Sequence, residues 1–257
     1  MKSSNLKEYF GEFFGTFIIV LFGCSSVAAA VTLNLFDSLF EIAVVWGIGV
    51  TIAIYLTKNY SKAHLNPAVT IGFWLNKDLE FNKVPIYIFS QLLGGILGGI
   101  AVLLIFNDLI SLYEINETIV RGSEESYKSA VMFGEFYPNP GFEDSINISW
   151  LGALLLEALG TFILMFVIFK VTEPKRDAGH LAPIIIGATI TILICLIAPF
   201  TQAGFNPARD FGPRLVAYFS GWGDAAFPIE PFSFFTVYIL GPIAGAIAAS
   251  GIHKLTR

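Results

Sequence analysis

Charge is what this sequence has least of. Of its 257 residues only 14% are Asp, Glu, Lys or Arg, against about 25% in an ordinary soluble domain. That shortfall excludes a cytosolic globular protein. A formal net charge of −5 gives no electrostatic footprint for a nucleic-acid backbone, which is held by clustered Lys and Arg, so nucleic acid is not an expected partner. Cysteine is scarce too. Cys24 and Cys195 lie in apolar runs far from any second thiol, which excludes a disulfide framework and a zinc site. Three scattered histidines without a nucleophile or metal constellation make a membrane enzyme the weakest reading. No cofactor and no metal is expected.

Apolar sequence is what abounds, at 55% of residues. Six stretches, at about 10–31, 40–57, 84–106, 150–170, 181–200 and 231–253, match the ~20 residues a helix needs to cross a hydrocarbon core about 30 Å thick. Each is far longer than a membrane strand of about 10 residues and lacks period-two alternation, so helices are preferred. The first run ends in Val27-Ala28-Ala29-Ala30 but exceeds the apolar core of a signal peptide, and is read as a retained span.

Orientation follows from the basic residues. With both termini in the cytoplasm, the inner segments hold Lys2, Lys7, Lys58, Lys62, Lys77, Lys83, Lys170, Lys175, Arg176, Lys254 and Arg257, 11 of the 15. Arg121, Lys128, Arg209 and Arg214 remain outside, as the positive-inside rule requires. A multi-pass protein of the cell membrane is expected. The external loop 107–149 carries Asp108, Glu114, Glu117, Glu124, Glu125, Glu135, Glu143 and Asp144 and is expected to be a solvated cap. Asn116-Glu117-Thr118 and Asn147-Ile148-Ser149 match glycosylation acceptors, a weak pattern.

The chain repeats itself. Glu12-Phe13-Phe14-Gly15-Thr16-Phe17 is echoed by Glu157-Ala158-Leu159-Gly160-Thr161-Phe162, and Asn66-Pro67-Ala68 after the second span by Asn206-Pro207-Ala208 after the fifth. The third and sixth spans share small-residue runs around Gly94 to Gly99 and Gly241 to Ala246, which let helices approach closely. Each unit has three spans. Three is odd, so the second copy enters from the opposite face, and residues 1–257 form one domain of two inverted repeats, about 1–106 and 150–257, joined by 107–149.

The short apolar stretches after the two triplets, 69–75 and 211–219, cannot cross a bilayer. From Pro67 a helix to Asn76 rises about 15 Å, half the hydrocarbon thickness. Asn is a favoured N-cap and Pro a favoured first helical residue. The triplets therefore start half-helices. Inverted symmetry brings their N-termini together near the midplane, each with a partial charge of roughly +0.5. Non-helical backbone at that depth is tolerated where it lines a water-filled cavity, which implies a pore. Each Asn oxygen caps its own helix while its NH₂ donates into the lumen; the field repels cations and interrupts proton passage. Two ordinary capped surface helices would leave the parity unexplained.

Arg209, three residues after Asn206, is a membrane-embedded cation whose default is to face a water-filled cavity, with a snorkelling side chain as the alternative. Glu12 and Glu157 are expected to accept N–H bonds from the irregular loops and hold them. His64 either lines the inner vestibule or satisfies loop backbone.

Ala63-His64-Leu65-Asn66-Pro67-Ala68-Val69-Thr70 and Gly204-Phe205-Asn206-Pro207-Ala208-Arg209-Asp210-Phe211-Gly212-Pro213 resemble the signature loops of the major intrinsic proteins, the aquaporins and aquaglyceroporins. The resemblance covers nearly the whole chain. It implies an all-α membrane fold of six helices and two half-helices, a homotetramer with one pore per subunit, and passive flow of water and small uncharged solutes past the backbone of Ala63, His64, Leu65, Gly204 and Phe205. Asp210 and Arg214, with Ile119-Val120-Arg121-Gly122-Ser123 and Tyr137-Pro138-Asn139-Pro140, resemble the glycerol facilitators. Carried over position by position, the constriction is Trp46, Ile194, Ala203 and Arg209. Typical glycerol facilitators have Gly and Phe in place of Ile194 and Ala203, and this set is similar to that of nodulin-like plant members, which implies ammonia or neutral metalloid hydroxides beside water and glycerol. Tyr238-Ile239 and Lys62 also depart from the glycerol-facilitator pattern. Cys195, next to Ile194, is expected close enough to the lumen for mercurials to block flow. A secondary transporter is the rival from another class, since inverted repeats and broken helices occur there; its coupling carboxylates would be Glu12 and Glu157.

Overall fold

The computed structural model describes residues 3–142, 145–173, 178–227 and 232–256. Lys2, Glu143, Asp144, Lys175, Arg176, Pro231 and Arg257, used above for orientation, loop charge and the start of the sixth span, lie outside the described residues. The helices are α1 (Ser3–Leu33), α2 (Leu39–Thr57), α3 (Pro67–Leu75), α4 (Val84–Asn116), the single turn α5 (Tyr127–Ala130), α6 (Trp150–Thr172), α7 (Ala182–Thr201), α8 (Pro207–Ala217) and α9 (Gly241–Leu255). A π-type stretch, Phe235–Leu240, leads into α9.

Among the described residues six helical spans are long and apolar enough to cross a membrane; this is a multi-pass membrane protein. Helices α3 and α8, with 9 and 11 residues, rise only about 14 and 17 Å. Helix α1 packs on α4 and α2, α6 packs on α9 and α7, and α2 meets α7 between them. The elements α1 to α4 thus correspond in order to α6 to α9.

Small residues make these contacts possible. At the α2–α7 crossing a Cβ on Gly47 would strike the carbonyl of Gly187, and one on Gly187 the carbonyl of Gly47. Threonine hydroxyls lace the same seam: Thr51 donates to the carbonyls of Gly47 (2.8 Å) and Pro183 (3.2 Å), and Thr191 to that of Ala43 (3.1 Å). In lipid, where apolar surface gains nothing by leaving one helix for another, close backbone approach and interhelical hydrogen bonds supply the adhesion. The outer faces carry Leu104, Ile105, Leu196 and Phe219, each more than half exposed, where hydrocarbon replaces water as solvent.

Two expectations about the connection between the repeats are corrected. Residues 107–116 belong to the third span, because α4 continues to Asn116; Asn107 and Asp108 are polar but do not break a helix, and neither Gly nor Pro follows Gly99 before Gly122. The remainder is not a solvated cap. Met132 and Phe133 are at most 1% exposed, and Ser129, itself buried, accepts from Trp222 Nε1 (2.8 Å) and donates to Glu114 (2.7 Å). Arg121 closes this network on Glu114 at 2.8 Å and covers the Trp222 ring at 3.9 Å. Glu117, Glu124 and Glu125 lie on the loop's surface, while Glu114, Glu135 and the apolar residues fold back onto the bundle.

Candidate functional site

The two half-helices meet tip to tip. Asn66 Oδ1 accepts from the amides of Ala68 (2.8 Å) and Val69 (3.5 Å), and Asn206 Oδ1 from those of Ala208 (3.1 Å) and Arg209 (3.2 Å). Each side chain thereby satisfies donors that a helix start leaves without partners. The amide nitrogens cross over: Asn66 Nδ2 donates to the carbonyl of Phe205 (2.9 Å) and Asn206 Nδ2 to that of Leu65 (2.8 Å). One N–H of each is thus committed to the opposite repeat, a bond that the sequence reading did not foresee. Both asparagines line the same cavity, where the second N–H of each is free to donate.

The loops leading to the tips are held from behind. Glu12 accepts from the amides of His64 (3.0 Å) and Leu65 (2.7 Å) and from Gln91 Nε2 (2.8 Å). Glu157 accepts from the amides of Gly204 (3.0 Å) and Phe205 (2.8 Å) and from Thr201 Oγ1 (2.7 Å). Both carboxylates are fully buried. The loops need such bracing because alternate residues are left-handed: Ala63 and Leu65 at φ 49° and 52°, Ala203 and Phe205 at 64° and 54°. Each such non-glycine residue costs on the order of 1–3 kcal/mol and persists only where its surroundings hold it. Ala63, His64, Leu65, Ala203, Gly204 and Phe205 all line the cavity.

Trp46, Ile194, Ala203 and Arg209 are also brought together around it. The Arg209 guanidinium lies 4.0 Å from the Trp46 ring centroid. It is not the unpaired cation that the sequence suggests, because Glu135 from the connecting loop forms an ion pair with it. Glu135 in turn is pinned by α8: its amide donates to Asp210 (2.8 Å) and its carbonyl accepts from Arg214 (2.6 Å). Arg214 spans Asp210 at 2.7 and 3.2 Å and reaches the Ala226 carbonyl. Asp210 and Arg214, both fully buried, thus sit behind Glu135 and hold it against Arg209. Glu135 is the functional residue that the sequence reading missed; the only signal was one more acid in an acidic loop.

Two cavities of about 410 and 440 Å³ share Trp46, Ile194 and Arg209. The first runs from Lys58, Lys62 and His180, on the side of the chain termini, past both asparagines. The second runs to Asp37, Lys128 and Asn139 at the opposite face. Cys195 is half-buried and lines neither cavity, which corrects its expected closeness to the lumen: Ile194 takes the inward position.

Residues 1–253 match the family model described as major intrinsic protein. The chain belongs to that family. Among its relatives, the glycerol uptake facilitator protein of Escherichia coli (strain K12) is 39% identical, over 98% of this chain and 89% of its own length. That of Pseudomonas aeruginosa is 38% identical over 95% and 86%, and the propanediol uptake facilitator of Citrobacter freundii 36% over 99% and 93%. The solved aquaglyceroporin from Plasmodium falciparum superposes with a TM-score of 0.83 at 26% identity, covering 97% of this chain and 96% of its own.

Geometry accounts for two features in which this major intrinsic protein departs from the glycerol-facilitator pattern. Tyr238 is fully buried, donates to the Thr201 carbonyl (3.1 Å) and abuts Gly204, filling space that Gly204 leaves open. Its counterpart in the first repeat is Tyr87, whose ring lies 5.4 Å from His64. Lys62 reaches out to the carbonyl of Asp78 at the termini-side mouth. His64 does not satisfy loop backbone with its side chain; it lines the cavity, stacked on Phe73 at 4.5 Å.

Proposed function

We propose that this protein is a passive channel for glycerol, other small uncharged polyols and water, excluding ions and protons. One observation carries the reading: two cavities opening at opposite faces share a waist of Trp46, Ile194 and Arg209, with both asparagine tips on the wall below it. At the waist the apolar Ile194 and Trp46 adjoin a donor, the Arg209 guanidinium, which lies over the Trp46 ring. A polyol presents carbon on one edge and hydroxyls on the other, so this arrangement holds it as it passes while the half-helix tips below repel cations. The facilitator names of its relatives support glycerol or a propanediol as the solute class. Within the scheme Asn66 and Asn206 orient passing hydroxyls, Glu12 and Glu157 fix the loops, and Asp210 and Arg214 hold Glu135 against Arg209. The chain acts as a homotetramer in the cell membrane with cytoplasmic termini, so the lysine-lined mouth faces the cytosol.

The transporter alternative needs a deep carboxylate free to carry a proton. Glu12 and Glu157 are each engaged by two backbone amides and one side-chain donor, which favours the channel. Vesicles containing the protein, shrunk by a glycerol gradient, should re-swell faster than empty ones, and equal rates would refute glycerol as a solute. Parallel gradients of water, urea and arsenious acid rank the solutes that pass beside an aliphatic Ile194.

A further inference from the structure

The termini-side mouth of the first cavity is lined by Lys58, Lys62, Thr172 and His180, and no Asp or Glu lines that cavity among the described residues. Neither lysine is ion-paired among the described residues. Lys62 donates to a neutral acceptor, the Asp78 carbonyl, and the Lys58 ammonium lies 5.0 Å from the Tyr55 ring centroid. The polar cleft next door, which both lysines also line, contains Glu8, Asp78 and Glu80. Two of these acids are engaged: Glu8 by Lys83 and Tyr87, each at 2.9 Å, and the Asp78 carboxylate by Asn76 at 2.6 Å. Farther in, toward Asn66, His64 is 5% exposed and neither ring nitrogen has a partner, although the ring lines the cavity. Among the described residues, the mouth therefore combines two cations lacking carboxylate partners with an unused, buried hydrogen-bonding ring.

We infer that this mouth binds the phosphate monoester of a polyol and that the bound ester plugs the channel. The inference rests on the channel reading above. The phosphate dianion sits between Lys58 and Lys62, the hydroxylated tail enters as a free polyol would, and His64 offers it a hydrogen bond. The ester goes no farther, because the wall beyond is mostly apolar, Val50, Ile54, Phe73, Leu164, Ile168 and Ile186, and the donors on Asn66, Asn206 and Arg209 are too few to replace the water that a doubly charged group must shed. Exposed charge pairs are weak individually, so the affinity is expected in the millimolar range, about 1 mM.

The test uses the full chain in phosphatidylcholine vesicles of one orientation, with glycerol 1-phosphate or inorganic phosphate placed on one face at a time. Glycerol flux should fall by at least half with ester on the termini-side face and stay unchanged with ester on the other. The double variant Lys58→Ala/Lys62→Gly should lose the block, its flux with ester matching its own flux without ester. An inert ester, equal inhibition from both faces, or a block surviving in the double variant overturns the inference. If vesicles containing phosphatidic acid are already slow and added ester changes nothing, a lipid headgroup occupies the mouth and the soluble-ester inference falls. Labelling of Lys58 and Lys62 by an amine reagent, read by mass spectrometry, should be slowed by the ester but not by glycerol. Unprotected lysines overturn the site whether or not glycerol permeates, whereas absent glycerol flux with protected lysines refutes the channel reading alone.

Discussion

Replacing Asn206 by Asp tests the electrostatics of the midplane. The cross-repeat bonds at 2.8 and 2.9 Å bring both half-helix tips to one level, so a cation in the lumen meets both together, taken at the contact separation of about 4 Å. Two partial charges of roughly +0.5 act there as one unit charge, which at an effective dielectric constant near 20 opposes the cation by about 4 kcal/mol. That barrier corresponds to roughly a thousandfold in permeation, at tenfold per 1.4 kcal/mol. Asn206→Asp keeps an oxygen to cap Ala208 and Arg209 but sets a full negative charge beside the same tips, offsetting most of the field. Cation conductance in planar bilayers should rise by about three orders of magnitude. Losing the donor to Leu65 should cost about 1–3 kcal/mol of stability, so glycerol flux serves as the check that the variant has folded. A folded, glycerol-permeable variant whose cation conductance rises less than about tenfold would show that the helix tips are not the barrier.

Arg209→Ala leaves the Glu135 carboxylate at the waist without its partner. Cation leak through vesicles should rise, and should fall back when Glu135→Gln is added; equal leak in the single and double variants would refute the pairing. Mercurials should leave glycerol flux of the parent protein intact, because Cys195 lines neither cavity, whereas Ile194→Cys should be blocked and rescued by thiol. Gly187→Val drives methyl groups into the carbonyl of Gly47 and should destabilise the bundle by at least about 1–3 kcal/mol, seen as a lower midpoint of thermal unfolding in detergent. An unchanged midpoint would mean that the α2–α7 seam relaxes at no cost.

What the sequence made legible was local or symmetric. Span lengths follow from hydrocarbon thickness, and Asn followed by Pro announces a helix start by its own backbone chemistry, so α3 and α8 were readable to within a residue or two. The repeated motifs announced the correspondence of α1 to α4 with α6 to α9. The continuation of α4 to Asn116 was also readable, since nothing there breaks a helix, but polar Asn107 and Asp108 resemble the end of a span. Glu135 was hidden for a different reason. Its partners, Arg209, Asp210 and Arg214, lie more than seventy positions away, and no periodicity in its own loop points toward them. The second amide bond of each asparagine was equally out of reach, because only the assembled pair of loops creates its acceptor.

That pair of reciprocal bonds also sets an order of assembly. When the ribosome has released the first repeat, the Leu65 carbonyl and the Asn66 amide exist, yet their counterparts Phe205 and Asn206 have not been made. The first half must wait, incomplete, until the fifth span arrives with the other side of the clasp. Neither repeat closes alone, and a chain cut between them regains its conduit only when both pieces share one bilayer.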